Sequence, residues 1–374
     1  MLPYGRQSIT ADDIAAVAAV LESDWLTTGP QVDLFERAIA ERVGAAQAVS
    51  VTSGTAALHV AYAAIGVGPG DEVVTTPLTF VATAATAALL GAKIVFADVD
   101  PATGNLDPQA ARAAVTPRTK AVAAVDYAGN PVEARAFREL ADEHGLAFLE
   151  DAAHSVGSTL EDRPVGSLAD VTCFSFFPTK NMTTAEGGAV VTSDEGLALR
   201  ARAFKNHGLV REPERLRHKH VGGWHQEVHS FGLNYRLPDV LCALGVSQLA
   251  RLDQFVARRA TIKARYDEAF ADLDEVRLPQ VTAGAAPAWH LYPVRVPPER
   301  RRNVFDRLRA DGIGVQVNYI PAYWHPVFED LGYRRGLCPH AEAYYASEIS
   351  LPMFPALTDA QVDQVIEAFR RAMG

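Results

Sequence analysis

Cysteine is scarce in this sequence. Among its 374 residues there are three cysteines, Cys173, Cys242 and Cys338, which lie far apart and form no C-x-x-C pair. This spacing argues against a disulfide framework and against a zinc site built from paired cysteines. We therefore predict three buried thiols in a protein of a reducing compartment.

Basic residues are in the minority, and long apolar runs are missing. Lysine and arginine number 35 against 45 aspartate and glutamate residues, a formal net charge of −10. This balance argues against nucleic acid or an anionic membrane as a bulk partner. No run approaches the ~18 apolar residues that a membrane span needs, and the start, MLPYGRQSITADDI, lacks the basic and apolar regions of a signal peptide. These absences predict a cytoplasmic protein.

Seven short apolar runs, with alanine-rich helical stretches between them, fill most of residues 48–193. The runs are AVSVTS, EVVTTP, KIVFADV, KAVAAVDYAG, LAFLEDA, VTCFSFF and GAVVTS. Continuous apolar strands separated by helices are typical of an α/β domain whose mostly parallel sheet is buried on both faces.

The pattern changes past about residue 240, where long helices precede a mixed α+β tail. We predict a large domain over residues 1–250, which includes an N-terminal segment, and a smaller C-terminal α+β domain over residues 251–374. The chain is long enough for such a pair of domains.

Three polar clusters follow predicted strands, where ligands of open α/β sheets bind. The first, beginning at Ser53-Gly54, opens a helix whose free N–H groups suit a phosphate. The second contains Asp151, at the end of LAFLEDA, and the third contains Lys180, five residues after Ser175. A buried lysine amine can act as a nucleophile. Taken singly, the first cluster is better explained as a helix N-cap and tight turn, the second is explained as well by another N-cap, and Lys180 could instead form a structural salt bridge.

Together the three clusters offer an anion cradle, a carboxylate and an amine. A pyridoxal phosphate site requires the same three contacts: phosphate binding, a partner for the pyridine nitrogen and a Schiff-base lysine. Because the conjunction is much more specific than any one cluster, it predicts a pyridoxal 5′-phosphate site.

The sequence resembles the DegT/DnrJ/EryC1/StrS family of sugar aminotransferases over nearly its whole length. The matching stretches include YGRQSI, DWLTTGP, SGTAALH, TTPLTFVAT, EDAAHS, SFFPTKNMTTAEGGAVVT, FGLNYRLPDVLCALGVSQL and EISLP. The resemblance implies the fold of type I pyridoxal-phosphate transferases, with a seven-stranded, mostly parallel sheet in the large domain and a smaller C-terminal α+β domain. It also implies a homodimer with shared active sites.

The resemblance assigns roles to individual residues. Lys180 would hold the cofactor as a Schiff base and carry a proton between it and the sugar, and Asp151 would keep the pyridine nitrogen protonated. A family subset with histidine in place of the lysine performs 3-dehydration, and Lys180 argues against that chemistry. The other implied cofactor contacts are Thr55, Ala56 and Ser175 at the phosphate, Phe80 on the ring, His154 (glutamine in many relatives) at the ring hydroxyl, and Asn234 from the partner subunit.

Four stretches are similar to one branch of the family, the C4 aminotransferases of pseudaminic acid biosynthesis: VDYAG, TTAEGGAVVT, WHLYPV and AEAYYASEISLP. This similarity implies transfer from L-glutamate to a UDP-linked 4-keto-6-deoxy-N-acetylhexosamine. Other acceptors stay open: a C3 keto sugar, a dTDP-sugar or an aminocyclitol ketone. A non-catalytic regulator with the same fold also stays open, although a pure binder has no need of an imine-forming lysine.

Segment 205–229 is basic and rich in histidine. Its histidines include His218, His220, His225 and His229. Two of them are spaced as H-Q-E-V-H, which differs from the zinc motif H-E-x-x-H, so we predict no metal site. Arg211 and Lys219 either bind the substrate's diphosphate or lie on a solvated loop. Tyr319, in an aromatic turn, either contacts the sugar or belongs to the core of the small domain.

Overall fold

The computed structural model describes residues 1–219 and 221–374, so His220 of segment 205–229 lies outside the described residues. The helices are α1 (Ala11–Leu21), α2 (Pro30–Val43), α3 (Gly54–Ile65), α4 (Ala82–Leu89), α5 (Pro108–Ala114), α6 (Ala134–His144), α7 (Glu195–Lys205), α8 (Asp239–Leu249), α9 (Leu252–Phe270), α10 (Pro298–Ala310), α11 (Pro326–Asp330), α12 (Pro339–Ser347) and α13 (Asp359–Met373). The strands are β1 (Gln47–Val51), β2 (Glu72–Thr75), β3 (Lys93–Phe96), β4 (Thr119–Val125), β5 (Ala147–Asp151), β6 (Thr159–Leu160), β7 (Arg163–Pro164), β8 (Val171–Ser175), β9 (Gly188–Thr192), β10 (Leu209–Val210), β11 (Glu227–Val228), β12 (Ala285–Ala286), β13 (Tyr292–Arg295) and β14 (Glu348–Leu351).

A seven-stranded sheet forms the centre of the molecule, in the order β1-β9-β8-β5-β4-β2-β3. The pairs from β8 through to β3 are parallel, and β9 is antiparallel to both β8 and β1. The seven apolar runs of the sequence correspond to these seven strands. The predicted α/β fold with a mostly parallel central sheet is therefore confirmed.

Helices cover both faces of the sheet. Successive residues of a strand point to opposite faces, so each strand contributes apolar side chains to both layers. Val73, Ala123 and Leu149 pack toward α3, α4 and α7 on one face. Their chain neighbours Val74 and Phe148 pack toward α5 and α6 on the other, where α2 and α8 cover the β1–β9 end. Burial on both faces explains why the strands read as continuous apolar runs.

The helical stretch after residue 240 is two helices, α8 and α9, which meet at Ala250 and Arg251. No single helix among residues 1–219 and 221–374 is long and apolar enough to cross a membrane. Taken together, α8 and α9 have the length and apolar composition of a membrane span, but the two helices are bent by 58° relative to each other.

The C-terminal part has its own apolar cluster, formed by α9, α10 and α13 around the antiparallel pair β13–β14. Leu2, at the other end of the chain, belongs to the same cluster, and its N–H donates to the carbonyl oxygen of Gly312 at 2.7 Å. The N-terminal strand-like segment thus packs on the C-terminal part. The division of the chain at residue 250 stays a prediction.

Candidate active site

Lys180 lies in the turn between β8 and β9, at the carboxyl edge of the parallel strands. Its N–H donates to the carbonyl oxygen of Phe177 at 2.9 Å. The next residue, Asn181, is buried, and its side-chain amide donates to the carbonyl oxygens of His154 at 3.2 Å and Val156 at 3.3 Å. These bonds join the Lys180 turn to the turn that follows β5.

The amine of Lys180 is surrounded by protein, although the residue as a whole is only half-buried. Burial lowers the pKa of Lys180 to about 8, and the nearby Asp151 carboxylate acts in the opposite direction. A pKa this low gives a substantial neutral fraction near physiological pH, which a nucleophilic amine requires.

Asp151 ends β5 and is 4% exposed. Its Oδ2 accepts a hydrogen bond from Thr83 Oγ1 at 2.7 Å, and its Oδ1 accepts one from the N–H of Ala153 at 3.2 Å. Burial raises the pKa of Asp151, whereas these hydrogen bonds and Lys180 lower it. The two donors fix the orientation of the carboxylate and leave it able to accept a further proton or hydrogen bond.

His154 stands between two other side chains of the cleft. Its Nε2 lies 3.1 Å from the hydroxyl of Tyr319, and its ring packs at a tilt of 44° against His290 with centroids 4.4 Å apart. Burial and then Lys180 lower the pKa of His154 well below its usual value, so the imidazole is neutral. Its Nδ1 is buried without a hydrogen-bond partner among the described residues.

The N-terminus of α3 faces the end of β8. Ser53 caps the helix, because its Oγ accepts from the N–H of Ala56 at 3.0 Å. The N–H groups of Gly54 and Thr55 belong to the first turn and have no acceptor within the helix. A Cβ atom on Gly54 would lie 2.7 Å from Cβ and 2.9 Å from Oγ of Ser175. Free N–H groups and a serine hydroxyl thus converge on one small space, which suits a phosphate.

Gly54→Ala is expected to lower cofactor affinity by about 1–3 kcal/mol, or roughly five- to 150-fold, because the added methyl group displaces Ser175. Absorbance titration of the cofactor-free protein with pyridoxal phosphate measures this. Gly68→Ala is the matched control, since nothing lies within 4 Å of a Cβ atom at Gly68. Equal affinity in both variants would contradict a phosphate site at this helix end.

The structure places two of the predicted cofactor residues at the open side of the cleft. Phe80 is 59% exposed, and its ring meets the edge of Tyr319 with centroids 6.2 Å apart. Thr55 is exposed on the first turn of α3. Ala56 is buried, and its N–H already donates to Ser53 Oγ. Of these three residues it is therefore the least available to a ligand.

Asn234, Arg211 and Lys219 lie apart from Lys180 within the chain. Asn234 is exposed and pairs through its backbone with Asn206. Arg211 is exposed on the hairpin of β10 and β11, where its Nε donates to Gln226 at 3.0 Å. None of the three contacts the Lys180–Asp151 pair in the described hydrogen bonds.

Two histidines of segment 205–229, His225 and His229, lie beside the carboxylate of Glu227. Glu227 accepts from His229 Nε2 at 2.5 Å and lies 3.2 Å from His225 Nε2. Within residues 1–219 and 221–374, no group of three or more histidine, cysteine or acidic side chains is arranged to hold a metal ion. The expectation of no metal site stays a prediction.

Sequence reasoning missed three residues that shape the site. Thr83 orients Asp151, and His290 packs against the ring of His154. Arg259 is fully buried, with Nη1 donating to the carbonyl oxygens of residues 289, 290 and 353 at 3.2, 3.1 and 2.9 Å. Its Nη2 reaches the carbonyl oxygen of Lys180 at 3.5 Å. The available signals were two of the quoted stretches, TTPLTFVAT, which ends in Thr83, and WHLYPV, which contains His290.

Comparison with known proteins identifies the group to which this site belongs. Residues 7–370 match the model of the DegT/DnrJ/EryC1/StrS aminotransferase family. The spore coat polysaccharide biosynthesis protein SpsC of Bacillus subtilis is 43% identical over 375 aligned residues, which cover 99% of this chain and 96% of that protein.

Solved structures agree with the sequence matches. Helicobacter pylori PseC, described as an aminotransferase involved in the biosynthesis of pseudoaminic acid, superposes with a TM-score of 0.93 at 32% identity, covering 100% of this chain and 99% of that one. The putative sugar aminotransferase Spr1654 of Streptococcus pneumoniae in its PMP form superposes with a TM-score of 0.94 at 28% identity, covering 100% and 99%. A PLP form of Spr1654 is also similar, with a TM-score of 0.93 at 28% identity, covering 100% of this chain and 98% of that one.

Proposed function

The chain belongs to the DegT/DnrJ/EryC1/StrS aminotransferase family, and we propose that it transfers the amino group of L-glutamate to C4 of a UDP-linked 4-keto-6-deoxy-N-acetylhexosamine. Its family and structural neighbours are pyridoxal-phosphate-dependent sugar aminotransferases, and therefore enzymes. This removes the non-catalytic regulator that the sequence left open. The identity of the amino donor, the nucleotide of the acceptor and the sugar carbon that receives the amino group are the parts that we propose.

The observation that carries the proposal is a desolvated amine, Lys180, near an oriented buried carboxylate, Asp151, at the carboxyl edge of the sheet. The surrounding residues fit pyridoxal phosphate. The first turn of α3 with Ser175 offers a phosphate cradle, and the unpartnered Nδ1 of His154 is a buried polar atom in need of a partner. When bound, the cofactor supplies an electron sink for the carbon that loses or gains a proton.

The residues of the chain supply binding, orientation and proton transfer. Lys180 Nζ would take up the proton that the substrate carbon loses and return it later, a task that a pKa of about 8 suits near neutral pH. Asp151, held by Thr83, would hold the pyridine nitrogen in its protonated form. Phe80, exposed toward the cleft, offers a flat apolar surface to the ring.

Tyr319 is proposed as an acceptor contact. Its hydroxyl lies 3.1 Å from His154 Nε2, and its ring lies against Phe80, so it contacts two of the residues proposed to hold the cofactor. Burial raises the pKa of Tyr319 well above its usual value, which keeps the phenol neutral and able to donate a hydrogen bond. A sugar hydroxyl is a suitable partner for such a group.

Arg211, Lys219 and Asn234 are proposed to serve the site of a partner subunit in a homodimer. The hairpin that carries the two cations also exposes Trp224 at 82% and nearby Phe231 at 96%. Large apolar side chains at such exposure are typical of an interaction surface. A second copy of the chain would bury them and bring the cations to a diphosphate.

We expect specific activity to fall when the protein is diluted below its dimer dissociation constant, because each site would then lack its partner's residues. Sedimentation and initial rates measured on the same dilution series test this. Trp224→Ala should move both transitions to higher protein concentration. A monomer that keeps full activity at high dilution would contradict shared sites.

The acceptor is tested with the aminated form of the enzyme. The protein is first reacted with L-glutamate, freed of excess donor, and mixed with UDP- or dTDP-linked 4-keto-6-deoxy sugars, a 3-keto sugar nucleotide and an aminocyclitol ketone. We expect a single turnover with the UDP-linked N-acetylated 4-keto sugar, with the amine at C4 by mass and NMR. Reaction only with another ketone would replace the proposed acceptor and leave the aminotransferase assignment intact.

A further inference from the structure

We propose that Glu348 is a positioning residue which, acting through Asn318, fixes Tyr319 against His154 beside Lys180. Glu348 begins β14 in the C-terminal part and is fully buried. Its Oε2 accepts a hydrogen bond from the backbone N–H of Asn318 at 2.7 Å. The proposal rests on the proposed function only for the role of Tyr319 toward the acceptor.

Asn318 is held through its backbone N–H, its backbone carbonyl oxygen and its side-chain NH₂ group. Its carbonyl oxygen accepts from the hydroxyl of Tyr127 at 2.5 Å, and its side-chain amide donates to Tyr4 at 2.9 Å and Ser350 at 3.0 Å. Glu348 accepts the hydrogen bond from its N–H, so Asn318 is bonded to three parts of the chain: the N-terminal segment, strand β14, and the turn that follows β4. The residue that follows it, Tyr319, therefore has little freedom to move.

Glu348 is costly to bury and forms no ion pair with an arginine or lysine among the described residues. Its other oxygen, Oε1, accepts a hydrogen bond from Ser350. Burial raises the pKa of Glu348 to about 8, and the hydrogen bonds from Ser350 and Asn318, followed by the charge of Arg301, oppose that effect. An apolar side chain in its place would leave the Asn318 N–H and the Ser350 hydroxyl without this acceptor, so the carboxyl group holds Asn318 in place.

The path from Glu348 to the cleft is short. It runs through the Asn318 N–H to Tyr319, whose hydroxyl lies 3.1 Å from His154 Nε2. The other ring nitrogen of His154 is the unpartnered Nδ1 assigned to the cofactor. Displacing Tyr319 therefore changes the hydrogen bonding of His154, and this change is visible in the cofactor spectrum before any acceptor is added.

The test compares Glu348→Ala, Tyr319→Phe and the double variant in the cofactor-loaded protein. The pH midpoint of the visible absorbance band is measured first, and the acceptor half-reaction second. Each single variant is expected to move the midpoint by about 0.5 pH unit and to slow the acceptor half-reaction about tenfold, the size of one lost buried hydrogen bond. Because both act through Tyr319, the double variant is expected to go no further than the larger single effect.

Two variants separate positioning from general stability. Glu348→Gln keeps the shape and can still accept from the Asn318 N–H, so it should recover most of the midpoint shift. Glu72→Gln removes a carboxylate that is also buried but lies at the start of β2, bound to Arg118 and Thr116. It should leave the midpoint unchanged.

If Glu348→Ala does not fold, Tyr127→Phe is combined with Tyr319→Phe instead. Tyr127→Phe removes the hydrogen bond from the Tyr127 hydroxyl to Asn318 and leaves the aromatic ring of residue 127 in place. Fully additive shifts in either double variant, or an unmoved midpoint in a folded Glu348→Ala protein, would overturn the proposal. The spectral measurement needs no acceptor. If the proposed acceptor is wrong, the wild-type enzyme will show a normal visible absorbance band but will not react with that acceptor. This outcome is distinct from a failure of the Glu348 proposal, which is read from the pH midpoint of the band.

Discussion

Lys180→Ala protein is expected to bind pyridoxal phosphate without the shifted visible band of an imine and to show no turnover. Among residues 1–219 and 221–374, Lys180 is the only amine whose charge acts on the Asp151 carboxylate, so we expect no covalent attachment elsewhere in the cleft. The measurement is borohydride reduction of the wild-type complex followed by peptide mass analysis. The added mass should lie on the peptide that contains Lys180.

Lys93→Ala is the matched control, because the Lys93 side chain is 65% exposed at the sheet edge, where it pairs with Glu72. It should keep both the band and the activity. Reduced label on any lysine other than Lys180, or a normal band in the Lys180→Ala protein, would refute the assignment.

The pKa of Lys180 gives this prediction a pH dependence. Burial lowers the pKa of the amine to about 8, so the neutral, reactive form increases as pH rises through 8. In the cofactor-free protein, the rate of reconstitution with pyridoxal phosphate should therefore rise between about pH 7 and 9 and then level off. A midpoint near 10.5 would mean that the amine is solvated in the absence of cofactor.

The parts of the fold that the sequence predicts well are those set by local pattern. Buried parallel strands require continuous apolar residues, so all seven runs correspond to strands of the central sheet. The cluster around Lys180 was visible because a short polar turn between two apolar strands is itself a local feature. The comparisons confirm the family that these stretches suggested.

Long-range contacts explain what the sequence did not reveal. Arg259 stands in a helix beside Arg258, Lys263 and Arg265 and reads as one more surface cation, yet it is fully buried among backbone carbonyl groups. Its role depends on residues 289, 290 and 353, which approach it only in the folded chain. Thr83 is likewise an unremarkable residue of α4 until β5 brings Asp151 to its hydroxyl.

Leu2 shows the same limit for domain organisation. A division at residue 250 assigns the first residues to the large domain, but Leu2 packs in the C-terminal apolar cluster. The hydrophobic period of a sequence indicates whether a segment is a helix or a strand, but not which other element it packs against. A short terminal segment therefore carries no signal of where it packs.

Asp151→Asn is expected to leave cofactor binding nearly intact and to slow the glutamate half-reaction by about 10²–10³-fold, the effect of removing one charge from a buried pair. The asparagine oxygen can still accept from Thr83, but its NH₂ group cannot accept the hydrogen bond that Oδ1 of Asp151 takes from the N–H of Ala153. Its NH₂ group, however, donates a hydrogen bond and so favours an unprotonated pyridine nitrogen. The electron sink is then weakened although the ring stays bound.

Glu150→Gln is the matched control for this prediction. Glu150 precedes Asp151 on β5, is equally buried, and points to the opposite face of the sheet, where it accepts from Thr172 at 3.0 Å. The same loss of a carboxylate there should leave the single-turnover rate within about threefold of wild type, because the charge does not face the cofactor. Near-wild-type rates in Asp151→Asn would reduce Asp151 to a structural cap. A large loss in both variants would instead assign the effect to the electrostatics of the whole strand end.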